Sequence, residues 1–545
     1  MEKQKNKRYI GITIGPIFET IKLAVRPAGM WAGSYLFSYL SRKICEKLLE
    51  KGIKDKSFIC PYIDYDKDEK KLIRNIYGVG MYPDKIIFQV EEKNISIGTC
   101  ACWIKEVKEH IGEELANSLN RMEELIEIQN FVKNYLQVYI VERELEETKN
   151  PILELSPLLD SYELQRSFIQ NQKIDPISLL IGGDKNDTEK NENRNIKKSF
   201  LVKDCEKDGK LFWDLLQEKN IWGIDDIARQ NTLENFKRKD YYAVVQSDGD
   251  NIGKLLERLN EKEDIRNFSK CLFRYIEGEQ KETKGPTGAI DMLRQYGAIP
   301  IYAGGDDLLF LAPLIGKNKE SLFELLDKLS KQFYITFEEF IKQKQNVDSD
   351  FKVNIPTLSF GVSINHRKFP LYESFEIAGK LLFENAKHTK NKNTISLQVM
   401  KHSGRSFSML LEKFSDSKSV ECELYDMICR LLKQYSEKID KDEEKVLQSV
   451  PIKLEENQAV FRLVKSKEQG CLLLENLFQS SYHRKEKIKN YLKQIQELYE
   501  KCYELENMKE EDLQFKNYQE KKTAVEDMIT ILYLIRLYRE KGTEE

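Results

Sequence analysis

The sequence predicts a mixed α/β (α+β) chain with two sheet-bearing domains, a small connecting domain and an all-helical C-terminal domain. Three observations carry this. Apolar runs of strand length alternate with amphipathic helical patterns in the first and third parts of the chain. Two acidic, glycine-bearing turns follow short apolar strands about 55 residues apart. From residue 406 onward the apolar residues keep helical spacing. At 545 residues the chain has room for several cores. Its formal net charge of -3 with 32% charged residues excludes a globally basic nucleic-acid binder, leaving only local basic patches. None of the ten cysteines forms a Cys-x-x-Cys pair, which reads as reduced intracellular thiols. The basic run Met1–Arg8 precedes an apolar stretch broken by Gly15-Pro16, which argues against a signal peptide or membrane span and for a cytoplasmic protein.

The first domain is assigned to residues 1–160. Tyr9 to Ile14 reads as a strand, and Met30 to Lys51 as a helix with Trp31, Tyr35, Leu36, Tyr39 and Leu40 on its apolar face. Lys85 to Val90 and Ser96 to Ile104 read as a hairpin, with Cys100 and Cys102 on one face. Glu106 to about Val132 is helical by pattern, and Leu136 to Glu142 returns as a strand, giving a sandwich with helices on one face. Residues 161–235 form the connecting domain; its Gly182-Gly183-Asp184 stretch, followed by a polar run, reads as a surface loop. The second sheet domain spans 236–405, with a flexible segment from Lys281 to Thr287 before a helix from Ala289 to Tyr296. In the helical domain, 406–545, Leu424, Ile428, Leu431, Leu432 and Tyr435 share one stripe; Val525, Met528, Ile529, Leu532 and Ile535 share another. Such stripes are usually internal packing.

The chemistry concentrates in 236–405. Tyr242 to Val245 leads into Ser247-Asp248-Gly249-Asp250-Asn251, and Ile299 to Tyr302 into Gly304-Gly305-Asp306-Asp307. These read as two neighbouring strands with carboxylates at their ends. Ile252, Leu255, Leu256 and Leu259 then follow with helical spacing, while Leu308 to Ala312 is a strand stopped by Pro313. Strand, acidic turn, helix, strand, acidic hairpin, strand is the order of a nucleotidyl-transferring palm. Convergent carboxylates are hard ligands for Mg²⁺ or Mn²⁺. Asp248 and Asp307, then Asp306, are the expected metal ligands and catalytic residues; Asp250 either joins them or caps the helix near Ile252. Gly249, Asn251, Gly253, Gly304 and Gly305 are expected to shape the phosphate-binding turns. Lys387, late in a helix from Leu371, is placed to reach a triphosphate. Phe360 to Ile364 reads as a structural strand beside the acidic hairpin. The five scattered histidines form no His-Asp pair, which removes a histidine–aspartate phosphohydrolase from consideration.

Several stretches together resemble the large, polymerase-like subunit of type III CRISPR effector complexes, in the Cmr branch. They are Ile14-Gly15-Pro16-Ile17-Phe18, Met30 to Leu40, Gly80-Met81-Tyr82-Pro83-Asp84-Lys85, Asp248 to Gly253, Gly304 to Asp307, Phe360 to Ile364 with His366, Ala386-Lys387 and Ser403-Gly404. The likeness covers about residues 8–405; Asp84 and Lys85 depart from the family's pattern. It implies two palm, ferredoxin-like nucleotide-cyclase domains facing each other, each binding one nucleotide. It implies an enzyme that binds guide RNA and target RNA within a multisubunit complex beside a small helical subunit. Target pairing then switches on synthesis of an adenine-nucleotide second messenger from ATP, usually cyclic oligoadenylate. Many relatives begin with a histidine–aspartate DNase domain; here the first palm starts near residue 8, so no DNA cleavage is expected. The paired cysteines of the family's zinc module are replaced by Cys205 alone, so no structural zinc is expected, and Trp213, Leu215, Leu216 and Trp222 are expected to pack in its place.

Some compact relatives join ATP to S-adenosylmethionine instead, and the first palm would then build the acceptor pocket from Trp31, Ser34 and Asp84. Ser34 is taken as a cofactor-binding residue. Two further readings are a catalytically silent scaffold for guide and target RNA and a free-standing GTP cyclase. Like charges crowded at a hairpin disfavour the first; the helical tail and the first-palm likeness disfavour the second.

Overall fold

Tyr9, Gly11 and Thr13 alternate with Ile10, Ile12 and Ile14 along the first strand, and both sets are buried. The strand is therefore central, with helices on either side. The computed structural model describes residues 6–63, 65–66, 71–72, 78–92, 94–164, 176–181, 199–208, 223–229, 241–278, 288–413, 419–434, 441–479, 485–508 and 522–538. The first domain contributes β1 (Lys7–Gly15), β2 (Phe58–Cys60), a small ribbon of β3 (Tyr65–Asp66) and β4 (Lys71–Leu72), β5 (Lys85–Val90) and β6 (Gln137–Leu145). Its main sheet is antiparallel in the order β2-β5-β1-β6.

Ile10, Ile12 and Ile14 pack in one core with Trp31, Leu36 and Leu40 of the Pro27–Glu50 helix and Ile104 and Ile111 of the Ile97–Leu119 helix. The opposite face is covered by the Pro151–Glu163 helix. It comes so close that a β-carbon on Gly11 would lie 3.2 Å from Leu159 Cδ1. Helices thus cover both faces, not one. The expected strand from Ser96 to Ile104 is helical. Ser96 caps it by accepting from the Thr99 N–H at 3.3 Å, and Cys100, Ile104, Val107 and Ile111 follow a period near four. That helix stops at left-handed Asn120, and Leu125–Tyr135 forms a second one.

The second sheet runs β12-β11-β10-β7-β9-β8. Its strands are β7 (Tyr241–Asp250), β8 (Ile299–Gly304), β9 (Asp307–Pro313), β10 (Thr357–His366), β11 (Thr394–Met400) and β12 (Ser406–Glu412). Tyr241, Ala243 and Val245 face a core with Phe268, Leu293 and Phe333 of three covering helices; Tyr242 and Val244 face Phe375 and the first domain's core. Two expectations about neighbours change. β8 does not pair with β7, because β9, the return strand of the hairpin, lies between them. β10 pairs with β7 and β11, on the far side of β7 from the hairpin.

Ser406–Glu412, counted from sequence with the helical tail, is the edge strand β12. Helices follow at Val420–Gln434, Lys441–Glu456, Gln458–Phe461, Lys467–Phe478, Glu486–Glu506 and Ala524–Leu537. Leu424, Ile428, Leu431 and Leu432 are buried with Val525, Met528, Leu532 and Ile535 in one core. Short helices at Pro176–Ile181, Phe200–Asp208 and Ile224–Arg229 represent the connecting region. The Gly182-Gly183-Asp184 loop, Trp213, Leu215, Leu216, Trp222, Lys281 to Thr287 and Tyr435 lie outside the described residues. Among the described residues no helix is long and apolar enough to cross a membrane.

The two sheet domains are joined by hydrogen bonds to main-chain carbonyls. The Ala303 N–H donates to the Gly80 carbonyl at 3.0 Å. Ser269 Oγ donates to the Ile59 carbonyl at 2.8 Å, and Asn150 Nδ2 to the carbonyls of Leu256 and Leu259 at 2.8 and 3.0 Å.

Candidate active site

The β8–β9 hairpin closes on Gly304 paired with Asp307, leaving Gly305 and Asp306 as a two-residue turn. Gly305 has φ +78°, the left-handed value that the first central residue of a II′ turn requires. The turn aims Asp306 at the end of β7, where the Gly249 N–H donates to Asp306 Oδ2 at 3.3 Å. A β-carbon on Gly249 would lie 2.6 Å from that oxygen, so only glycine admits this approach. Asp248, Asp306 and Asp307 each offer a carboxylate oxygen within 4.8 Å of the others. The three residues that sequence reasoning chose as metal ligands therefore converge, and their donor set fits a hard divalent cation.

Electrostatics follow from that convergence. Crowding by protein, then the charge of Asp248, pushes the Asp306 carboxyl up to about 6. Asp307 is held well above the usual carboxylate range by the same desolvation and by Asp306, Asp248 and Asp84. Yet Asp307 is exposed to solvent, so the cluster opens to water at that residue and is not sealed in a core. Positive charge brought beside the three carboxylates would relieve the crowding.

Asp250 has a different place. It is fully buried and accepts from Thr357 Oγ1 at 3.0 Å, Ser359 Oγ at 2.8 Å, the Asn393 N–H at 2.9 Å and Lys387 Nζ at 3.0 Å. It does not cap the following helix. Asn251 holds the cap position at φ 62° without a side-chain bond, and that helix is short, Ile252–Leu256. Gly253 has open space around its α-carbon. Gly304 is overlain by its neighbour, since a β-carbon there would sit 1.9 Å from Tyr302 Oη.

Lys387 reaches the cluster from a helix that begins as Leu371–Lys380, widens into a π turn at Leu381–Asn385 and ends in a 3-10 turn at Ala386–His388. Its ammonium pairs with Asp248 Oδ2 at 2.5 Å and donates to the carbonyls of Gly249 and Asp248 at 2.6 and 2.9 Å. Desolvation works against the charge, but Asp250 and Asp248 outweigh it and hold the ammonium above its ordinary range. Ser34 is not brought into the triad. It is buried beneath the Gly80 segment, and its hydroxyl has no partner among the described residues. Trp31 is a core anchor whose indole N–H donates to the Gly78 carbonyl at 2.8 Å.

The residues missed from sequence are Thr357, Ser359 and Asn393, which hold Asp250. A faint signal existed: Thr357, Ser359 and Gly361 alternate with Leu358, Phe360 and Val362 along an otherwise apolar strand. Tyr302 was also missed. Crowding first, then Asp84 and Asp307, keep its phenol protonated.

The family profile for the second palm domain of Cas10/Cmr2 matches residues 241–396, and that for the N-terminal part of the CRISPR-associated protein Cmr2 matches residues 9–122. A curated relative, the CRISPR system Cmr subunit Cmr2 of Pyrococcus furiosus, is 28% identical over 212 residues, 36% of this chain. The match spans 22% of that protein's length. Among solved structures, a chain of the Csm1–Csm4 cassette in complex with pppApA aligns with a TM-score of 0.53 at 12% identity, covering 98% of this chain and 70% of that one. A chain of the type III-B Cmr-beta complex in its apo state aligns with a TM-score of 0.52 at 12% identity, covering 99% and 82%. These structural likenesses concern the fold.

Proposed function

We propose that this chain, which belongs to the Cas10/Cmr2 family through both of its sheet domains, is a nucleotidyltransferase that uses ATP to make an adenine-nucleotide second messenger. Cyclic oligoadenylate is the product of the leading reading, with synthesis activated by target RNA. The observation that carries it is the convergence of Asp248, Asp306 and Asp307 across a strand end and a II′ turn. Support comes from relatives of the same fold described as bound to pppApA and to cognate target RNA. Partners under this reading are guide RNA, target RNA and neighbouring subunits of a type III CRISPR complex, a small helical subunit included, in the cytoplasm.

The reaction forms a bond from an acceptor oxygen to the α-phosphorus of ATP and breaks the bond to the β-phosphate, releasing pyrophosphate. Asp248, Asp306 and Asp307 are the residues that would hold Mg²⁺ or Mn²⁺. When bound, such a cation neutralises phosphate charge and makes the acceptor hydroxyl more acidic. Gly249, at the end of β7, and Gly305, in the hairpin turn, keep the backbone slim enough for phosphates to approach. Lys387, tied to Asp248, Gly249 and Asp250 at the end of β7, keeps that strand end in place and supplies fixed positive charge beside it.

A second reading has its own observation. In the first domain Asp84, whose charge acts on Asp307, lies with Asp160 and Glu163 around Lys85, which pairs with Asp160. Desolvation raises Asp84 and Glu163, with Asp160 acting in the same direction on both. A cationic acceptor suits this acidic wall better than a second triphosphate. S-adenosylmethionine carries both a sulfonium and an ammonium, so its conjugation to AMP is the alternative.

One assay separates these readings. The assembled complex is given matching target RNA, Mg²⁺ or Mn²⁺ and labelled ATP, with and without S-adenosylmethionine, and products are read by mass spectrometry. Adenylate rings in both tubes establish the cyclase. AMP joined to the intact amino acid, formed only when S-adenosylmethionine is added, establishes the conjugate. No product in either tube leaves a scaffold for guide and target RNA.

A further inference from the structure

Besides Lys387, two arms of the second sheet domain hold Asp250. One is β10, where Thr357 Oγ1 and Ser359 Oγ donate to Asp250 Oδ2 at 3.0 and 2.8 Å. The other is the connection into β11, where the Asn393 N–H donates to the same oxygen at 2.9 Å. Lys413, the residue directly after the edge strand β12, grips both arms. Its Nζ donates at 2.5 Å to the carbonyl of Leu358, between Thr357 and Ser359, and its main-chain N–H donates to the Asn393 carbonyl at 3.1 Å. Lys413 is fully buried, so water does not stand in for either bond.

The Asn393 arm needs that grip. Lys392 and Asn393 have φ 58° and 54°, two successive residues with a β-carbon in the left-handed region. Such a conformation is disfavoured and persists where its surroundings fix it. Asp250 fixes it through the Asn393 N–H, and Lys413 fixes it through the Asn393 carbonyl. The β10 arm leads to the metal ligands themselves. Leu358 lies opposite Gly249 and Ser359 opposite Asp248 in the β10–β7 register, and the Gly249 N–H donates to Asp306. A shift of Leu358 therefore reaches Asp248 and Asp306 together.

Two helices fix Lys413 in turn. Ser330 Oγ, on the Leu322–Val347 helix, accepts from Nζ at 2.7 Å and donates onward to the Leu326 carbonyl at 2.8 Å. The Lys413 carbonyl accepts from Cys422 Sγ at 2.7 Å, in the first turn of the Val420–Gln434 helix that opens the C-terminal bundle. Cys422 is buried, and its own N–H donates to Ser419 Oγ at 3.2 Å.

We propose that Lys413 is a positioning residue for nucleotidyl transfer, fixing both arms around Asp250 and with them the spacing of Asp248 and Asp306, and that Cys422 ties this setting to the first helix of the C-terminal bundle. Lys413 touches no reacting atom; it acts through Leu358 and Asn393. The inference rests on the nucleotidyltransferase reading above.

The test compares the assembled complex as wild type, Cys422→Ala, Cys422→Ser and Lys413→Met, each given matching target RNA, Mg²⁺ and labelled ATP. Cys422→Ala removes the donor to the Lys413 carbonyl and is expected to slow product formation about 5-fold, the worth of one hydrogen bond. Cys422→Ser supplies a hydroxyl donor at the same place and is expected to recover most of that loss. Packing alone predicts the reverse order, since a buried hydroxyl costs more than a methyl group. Lys413→Met is expected to lose about 10-fold or more, the scale for removing the support behind a metal ligand, with the Mn²⁺ affinity of the chain falling in step. Should Lys413→Met fail to fold, the two Cys422 variants decide. Serine no better than alanine at 422, or a folded Lys413→Met working at the wild-type rate, overturns the inference alone. A wild-type complex that makes no product overturns the nucleotidyltransferase reading and this inference with it.

Discussion

Lys387 Nζ lies 3.0 Å from Asp250 Oδ1, and Asp250 is sealed from solvent behind it. The lysine therefore does more than wait at a helix end. It clamps the end of β7 that carries Asp248, through the Gly249 carbonyl at 2.6 Å and the Asp248 carbonyl at 2.9 Å. Lys387→Met keeps the length of the side chain and removes the clamp and the charge. Product formation by the assembled complex is expected to fall about 100-fold or more, the scale for losing one preorganised charge. Complex mass by size-exclusion light scattering should be unchanged. Activity within a few-fold of wild type would strip Lys387 of this role.

Asp250 and Asp306 look alike in sequence and differ in place, which predicts opposite stability effects. Asp250→Asn turns an amide NH₂ toward groups that all donate, namely Thr357, Ser359, the Asn393 N–H and Lys387. The expected cost is roughly 3 kcal/mol, the range for disrupting a buried, charge-assisted network. Asp306→Asn relieves like-charge crowding, so unfolding in urea should be no easier than in wild type, while product is lost. Equal destabilisation by both variants would contradict the distinction between an anchoring and a metal-holding carboxylate.

Gly249→Ala tests the closest approach in the site. The added methyl would meet Asp306 Oδ2 at 2.6 Å and Ile252 Cγ1 at 2.9 Å, both too close for a β-carbon, so both must move. Moving Asp306 separates the triad. Mn²⁺ affinity, measured on the chain without nucleotide, is expected to drop about 10-fold or more, the scale seen when the support of a metal ligand is disturbed. Wild-type affinity would mean that Asp306 is not a ligand.

The triad was readable because one acidic stretch ends an apolar strand before a helix and the other joins two apolar strands, and because glycine at 249 and 305 has a backbone reason to be there. The neighbours of those strands were not readable. Whether β8 or β9 lies against β7 depends on how the hairpin folds back, and both are apolar runs of similar length. The Ser96–Ile104 error has a physical source in the same ambiguity. Isoleucine, cysteine and threonine suit a strand, and only the Ser96 cap with the longer period through Val107 and Ile111 decides for a helix. Asp250 defeated sequence reasoning more deeply, since all four of its donors come from residues more than a hundred positions away.

Lys413 supplies a prediction in pH. It is completely buried, with Nζ donating to the Leu358 carbonyl at 2.5 Å and Ser330 Oγ at 2.7 Å, and over the Phe360 ring at 4.3 Å. Both partners accept from a neutral amine as well as from an ammonium. Burial lowers this lysine from 10.5 to about 7, against the weaker pull of Asp250 and Asp327. Between those values the unfolded chain binds the proton and the folded chain does not. The contribution of Lys413 to unfolding free energy therefore increases as pH rises from about 7 toward 10, by up to roughly 1.4 kcal/mol per pH unit. Lys413→Met keeps the volume and cannot titrate. Urea unfolding of both proteins across that range is expected to show wild type gaining on the variant with each step up in pH. Parallel curves would mean that Lys413 stays charged in the folded protein, and that a carboxylate reaches it more closely than Asp250 or Asp327 does here.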